Sequence, residues 1–266
     1  MIIYAVIAQQ SVSKLFLSGI VPGIAMGLGL GAIAIVQAYR RHYPRGTELS
    51  LATIWRTFLG ASWGLMTPVI ILGGIFSGIF TPSEAAVVAV NYALLVSLFV
   101  YRDPGPAGVY RILIRSAITT SVIMLVIATS AVLSWTLSSW QVPGAIASAV
   151  LSLSTDPRVI RLLVVAVILL TGVFIETASA LIILTPVLLP LVTQLGIDPI
   201  HFGLIIVMGL AIGMITPPVA INLYVASSVT QLPLERITRA IVPYLLGLIA
   251  VLLLVVYVPI LLGWSG

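Results

Sequence analysis

The chain has 266 residues, 61% of them hydrophobic and 7% charged, and a water-soluble domain has no use for that much apolar surface because its exterior must be wetted. The net charge of +5 comes from arginines grouped in short connections, a membrane-topology pattern rather than a nucleic-acid surface. Cysteine is absent, which excludes a disulfide framework, thiolate chemistry and a Cys-based metal centre.

Several apolar runs exceed the ~20 residues needed to cross a bilayer. They are continuous rather than alternating, which argues against a barrel. The fold class expected is an all-α polytopic membrane protein forming a single transmembrane domain over residues 1–266. The start, MIIYAVIAQQSV, carries no basic flank and reads as the tail of a helix entered part-way, not as a signal peptide. Residues 15–39 form the first full span. Within it Pro22 sits near one end, and Gly19, Gly23, Gly27 and Gly31 lay a smooth stripe that predicts close helix packing. Arg40, Arg41, His42, Arg45 and Arg56 follow in a polar connection that the positive-inside rule places in the cytoplasm, with His42 as a solvated loop residue.

Residues 62–101 hold two apolar runs joined at Thr81, Pro82, Ser83 and Glu84. A carboxylate at the bilayer centre costs about 2.5–3.5 kcal/mol on insertion scales, so Glu84 needs an explanation. One reading is a capped helix start, with Thr81 as N-cap, Pro82 in the first position and Glu84 completing a capping box. The other is a polar site inside the membrane, and the two are compatible because a capped helix start is also a positive dipole end. Residues 102–115 read as a second cytoplasmic loop carrying Arg102, Asp103, Arg111 and Arg115. A span is predicted at 117–138, then a turn over 141–144, with Trp135 and Trp140 as interfacial anchors. Residues 144–154 are too short to cross, and Asp156, Pro157, Arg158 and Arg161 close that segment.

Residues 162–193 are long for one helix and short for two spans. Gly172, the run Glu176, Thr177, Ala178 and Ser179, then Pro186 and Pro190 divide them, which predicts a span followed by a re-entrant hairpin with small polar residues at its tip. Glu176 there is a functional candidate as an intramembrane acid, or else a cap for the hairpin's own amides. After a turn at 196–199, His201 is read as anchoring the interfacial end of the next helix rather than as a proton relay.

That helix meets the most informative stretch, residues 209–228, GLAIGMITPPVAINLYVASS. Adjacent prolines at 217 and 218 remove two backbone donors and push Thr216 out of the helical region, so the helix is expected to break. Within hydrocarbon a break survives only where protein covers it or where it lines a wet cavity, and broken helices at mid-membrane build transporter sites. Glu235, Arg236 and Arg239 are expected in a last charged loop, before a final span at 241–262. A weak internal echo links Gly74, Gly78, Thr81 and Pro82 to Gly209, Gly213, Thr216 and Pro217 at equal spacing.

GGIFSGIFTPSEAAVVAV, GVFIETASALIILTPVLLPLV, LGIDPIHFGLIIV and AIGMITPPVAINLYVAS, with FLSGIVPG at 16–23, closely resemble the large membrane subunit of TRAP transporters, the DctM-like permeases. The resemblance runs over nearly the whole chain. It implies a fold of discontinuous helices and re-entrant hairpins working by an elevator motion, with no enzymatic activity. It implies a multi-pass protein of the bacterial inner membrane, with Na⁺ as coupling ion and no other cofactor. The implied partners are a small membrane subunit and a periplasmic binding protein that delivers an organic acid. Carried over by position, the second hairpin falls on Glu176, Thr177 and Ser179, and the second unwound helix on Gly213, Thr216, Pro217, Pro218 and Asn222. Na⁺ is then expected near Gly213, Thr216 and Pro217. Gly78, Thr81, Pro82 and Glu84 join the candidates as the echo of that site.

Two positions depart from the pattern, Gly209 and Ala220 standing where Asn and Gly are expected. The first hairpin and first Pro-Pro of such permeases are not in the chain, so it is expected to be a C-terminal part in which 62–240 forms the more complete repeat. A part of this kind is not expected to transport alone. An inactive membrane scaffold is the alternative. An intramembrane enzyme is disfavoured by the lack of Cys and of any GxSG or GxGD string.

Overall fold

A computed structural model describes residues 1–42, 50–102, 105–141, 145, 148, 156–217 and 221–261. The regular structure of those residues is helical throughout. Six of the described helices are long and apolar enough to cross a bilayer, and the protein is an all-α polytopic membrane protein. The chain divides into two compact units, Tyr43–Leu125, and Met1–His42 with Val126–Gly266.

In the first of these, α3 (Leu51–Phe76) turns back into α4 (Pro82–Leu95), which widens into a π-helical segment, Val96–Tyr101. The Tyr92 hydroxyl donates to the Trp63 carbonyl across the pair at 3.0 Å. The turn needs a left-handed residue, which Gly78 supplies at φ 73°. The Thr81 hydroxyl then accepts from the Glu84 amide at 3.4 Å, and Glu84 Oε2 accepts from the Thr81 amide at 2.8 Å and its hydroxyl at 2.9 Å. Two otherwise orphaned amides are thus satisfied by a capping box. Thr81→Ala is expected to lower stability by about 1 kcal/mol, read as a lower melting temperature in detergent. Glu84→Gln keeps an acceptor for the Thr81 amide and should lower it less.

Helix α5 (Pro106–Ser139) starts well before the predicted 117, so Arg111 and Arg115 ride on the helix instead of lying in a loop. The same correction applies in the other unit. Arg158 and Arg161 belong to α6 (Pro157–Phe174), which Asp156 caps, and Glu235, Arg236 and Arg239 belong to α10 (Leu234–Leu261). The cause is common to all three. Hydropathy marks where hydrocarbon begins, whereas the hydrogen-bond ladder continues into the headgroup layer.

The larger unit is built around α8 (Pro199–Gly213), whose residues from Phe202 to Gly213 are nearly all buried. Apolar on every side, it can be enclosed on every side at no polar cost. It packs against α2 (Val12–Arg40), α6, α7 (Thr177–Gln194) and α10. The short α1 (Ile2–Ile7) lies on α7, and its Tyr4 donates to the Pro199 carbonyl while meeting the Phe202 ring edge-on. Gly196, at φ 71°, ends α7 in a Schellman turn: the Ile197 amide donates to Val192 O at 3.0 Å and the Gly196 amide to Thr193 O at 3.0 Å. Two tight connections, at 175–176 and 195–198, therefore make α7 antiparallel to both α6 and α8, and leave α6 parallel to α8.

Residues 162–193 were expected to hold a span and then a separate hairpin. They form a single hairpin, α6 and α7, because Pro186 and Pro190 lie inside α7 without dividing it. Of the α2 glycine stripe, Gly19 packs closely, beside Met1 and Leu204, while among the described residues nothing comes within 4 Å of a Cβ built on Gly23, Gly27 or Gly31. Outside the stripe, Gly29 lies beside Val251.

Candidate functional site: a hairpin tip against a broken helix

Residues 209–228 are interrupted. Helix α8 ends at Gly213, and α9 begins at Ile221 and runs to Thr230. The last turn tightens as it stops. The Met214 amide still donates to Leu210 O at 3.0 Å, but Ile215 donates to Ile212 O at 3.2 Å and Thr216 to Gly213 O at 2.8 Å, one residue closer along the chain. Pro217 has no amide with which to continue. Pro218 and Ala220 lie outside the described residues. The Thr216 hydroxyl donates to the Ile212 carbonyl at 2.7 Å, which commits its proton and leaves its oxygen lone pairs as acceptors. Fifteen residues of α8 at 1.5 Å each span roughly 22 Å, too short to cross a ~30 Å hydrocarbon core.

The hairpin tip is held against this break by two glycines. A Cβ on Gly213 would lie 2.6 Å from the Cα and carbonyl carbon of Gly172 and 2.8 Å from Leu169 O; a Cβ on Gly172 would lie 2.9 Å from Leu210 O. Only glycine at both positions lets α6 and α8 touch backbone to backbone just where each ends. Beyond Gly172, α6 stops at Phe174, Ile175 is extended, and Glu176 becomes the N-cap of α7. Glu176 Oε2 accepts from the Ser179 amide at 3.2 Å, which is the capping role considered for it. Thr177 crosses from tip to break, its hydroxyl donating to the Met214 sulfur at 2.7 Å.

Glu176, Thr177 and Ser179 are thus brought to Gly213, Met214, Thr216 and Pro217. Glu176 is exposed, while Thr177, Ser179 and Thr216 are partly covered. Asn222 stands exposed in the first turn of α9. Gly78, Thr81, Pro82 and Glu84 belong to the other unit. Their equal spacing does not produce equal structure. Gly78 is left-handed and Thr81 caps a helix, whereas Gly213 is a buried helical residue and Thr216 bonds back to its own helix. Gly209, a departure from the family pattern, lets Ile168 Cγ2 approach to within 2.6 Å of where its Cβ would stand, so a larger residue there requires the Ile168 side chain to shift.

Among the described residues no three His, Asp or Glu side chains gather as metal ligands. What the break offers a cation is hydroxyl and carbonyl oxygen at the negative end of the α8 dipole, and beside it the N-terminus of α7 presents the opposite end. His201 Nε2 pairs with Val255 O at 3.0 Å and ties α8 to α10, an anchoring contact. Sequence reading missed the partners Gly172 and Met214.

Residues 1–261 match the family model described as "Tripartite ATP-independent periplasmic transporter, DctM component". The chain belongs to the DctM family. Over 259 residues this DctM-family chain is 42% identical to the C4-dicarboxylate TRAP transporter large permease protein DctM of Pseudomonas aeruginosa, covering 97% of this chain and 61% of the relative. It is 39% identical over 258 residues to the 2,3-diketo-L-gulonate TRAP transporter large permease protein YiaN of Escherichia coli K12, with the same two coverages, 97% and 61%. To the sialic acid TRAP transporter large permease protein SiaM of Vibrio cholerae it is 37% identical over 259 residues, again at 97% and 61%. The chain therefore spans 61% of the length of each of these relatives. They are named as transporter permeases, not as enzymes.

Proposed function

We propose that the chain supplies one ion and substrate site of a TRAP large permease in a bacterial inner membrane. There it takes up an organic anion by Na⁺ coupling, together with a small membrane subunit and a periplasmic binding protein. The observation that carries this reading is the docking of the hairpin tip on the helix break through Gly172 and Gly213. Na⁺ is a hard cation that takes oxygen ligands. The Thr216 hydroxyl and the carbonyls at the end of α8 suit it, binding weakly enough to release. The N-termini of α7 and α9 favour a carboxylate on the same principle with opposite sign. The relatives are named for a C4-dicarboxylate, sialic acid and 2,3-diketo-L-gulonate, all organic acids, which supports a carboxylate-bearing anion as the substrate class proposed for this chain. Ion and anion would then move together as the α6–α8 bundle travels in an elevator motion.

The test is uptake into proteoliposomes that also hold the small subunit, the binding protein and the part of a large permease that this chain does not span. Uptake is expected to require an inward Na⁺ gradient. Uptake indifferent to Na⁺, or none with every part present, contradicts the reading and favours a scaffold role. Thr216→Val removes one oxygen without changing shape and should raise the Na⁺ concentration for half-maximal uptake about tenfold. An unchanged Na⁺ response would remove Thr216 from the ion site.

A further inference from the structure

A threonine in a helix has a ready acceptor for its proton one turn back, and this chain uses it repeatedly. Thr136, Thr171, Thr216 and Thr230 each donate to the carbonyl four residues before them. Thr177 cannot do so within its own helix. It is the first residue of α7, directly after the N-cap Glu176, so no turn of α7 precedes it. Its hydroxyl reaches across to the end of α8 and donates to the Met214 sulfur at 2.7 Å. Both residues are partly covered, and the backbone contact between Gly172 and Gly213 fixes the elements that carry them.

The identity of that acceptor matters. A thioether accepts a hydrogen bond but has no proton to give, and it is too soft to compete with oxygen for a hard cation. It therefore commits the single Thr177 proton and leaves the Thr177 oxygen with lone pairs only. Thr216, on the other side of the docking, is in the same state, its proton held by Ile212 O. The tip and the break thus each contribute one acceptor-only hydroxyl oxygen. The N-terminus of α7 carries roughly half a positive charge, which alone would repel a cation there. The exposed Glu176 carboxylate at the N-cap brings a full negative charge and reverses that sign. We infer that Met214 is a positioning residue of the ion site: by taking the Thr177 proton it makes that hydroxyl an oxygen ligand, so that one Na⁺ is held by tip and break together. This rests on the Na⁺-coupled reading proposed above.

The test is a double-variant cycle in the complete proteoliposome assembly. It reads the Na⁺ concentration for half-maximal uptake and, separately, the maximal rate at saturating Na⁺. Met214→Leu keeps the bulk and removes the acceptor. It is expected to raise the half-maximal Na⁺ concentration about fivefold and to change the maximal rate less. Thr177→Val should do the same. The double variant should be no worse than Thr177→Val alone, because the sulfur acts only through that hydroxyl. Protein made with selenomethionine keeps an acceptor of the same kind and should respond to Na⁺ as the sulfur form does. A lower maximal rate with an unmoved Na⁺ response in Met214→Leu would overturn the inference, as would two effects that multiply in the double variant. Thr177→Val with an unmoved Na⁺ response overturns it by itself, whether or not Met214→Leu folds. If Thr216→Val shifts the Na⁺ response and Met214→Leu does not, the inference falls while the Na⁺-coupled reading stands. Wild-type uptake indifferent to Na⁺ removes both.

Discussion

Gly213→Ala is expected to reduce Na⁺-driven uptake at least tenfold, on the order of what a 1 Å displacement costs a preorganised site. The new methyl carbon would stand 2.6 Å from Gly172 Cα and 2.8 Å from Leu169 O. These are backbone atoms of a packed helix, so no side chain can swing aside and α6 must move away from α8. Overpacking of this kind costs about 1–3 kcal/mol, and the displacement falls at the tip itself, where Thr177 meets Met214. Gly172→Ala meets Leu210 O at 2.9 Å and should behave the same way. Gly209→Ala is the informative contrast. Its Cβ would meet only the Ile168 side chain, at 2.6 Å, and a methyl group can shift where a peptide cannot. That variant should retain more uptake than Gly213→Ala, measured side by side in proteoliposomes at matched protein content.

Replacing Pro217 and Pro218 together by alanine should yield a protein that is more stable and inactive. Each proline in a helix interior is about 3 kcal/mol less favourable than alanine, so the double variant gains the means to run α8 on toward α9 as one rod. The restored amide at 217 would take the Gly213 carbonyl that now accepts from the Thr216 amide, and the one at 218 would claim the Met214 carbonyl, which is then lost to a cation. A rise in melting temperature accompanied by loss of uptake is the expected pair of results. A variant that transports normally would show that the interruption has no role.

Much of this arrangement could be read from residue order because the signals are local. Pro217 with Thr216 before it stops a helix by its own covalent geometry, and the break stands where it was expected. The capping box at Thr81 and Glu84 is four consecutive residues satisfying their own amides, and it too formed as predicted. What could not be read was non-local. Nothing about Gly172 alone says that it will face Gly213, since that depends on α6 and α8 running parallel, which the connections at 175–176 and 195–198 together dictate. The α2 stripe was legible only in part, for the complementary reason. Spacing shows which glycines share a face but not whether a neighbour comes to it: of the stripe Gly19 meets Met1 and Leu204, and Gly29, outside it, meets Val251. Equal spacing around Gly78 and Gly213 failed likewise, because a helix cap and a helix end use the same Gly and Thr in different ways.

The most direct measurement is amide hydrogen exchange of the assembled permease in NaCl and in KCl at equal ionic strength, followed in peptides covering 172–180 and 212–217. If the tip and the break jointly hold the coupling ion, exchange in both segments slows in Na⁺ and not in K⁺, and Thr216→Val removes the difference. Identical exchange in the two salts, in both segments, would contradict the claim that this interruption is a cation site.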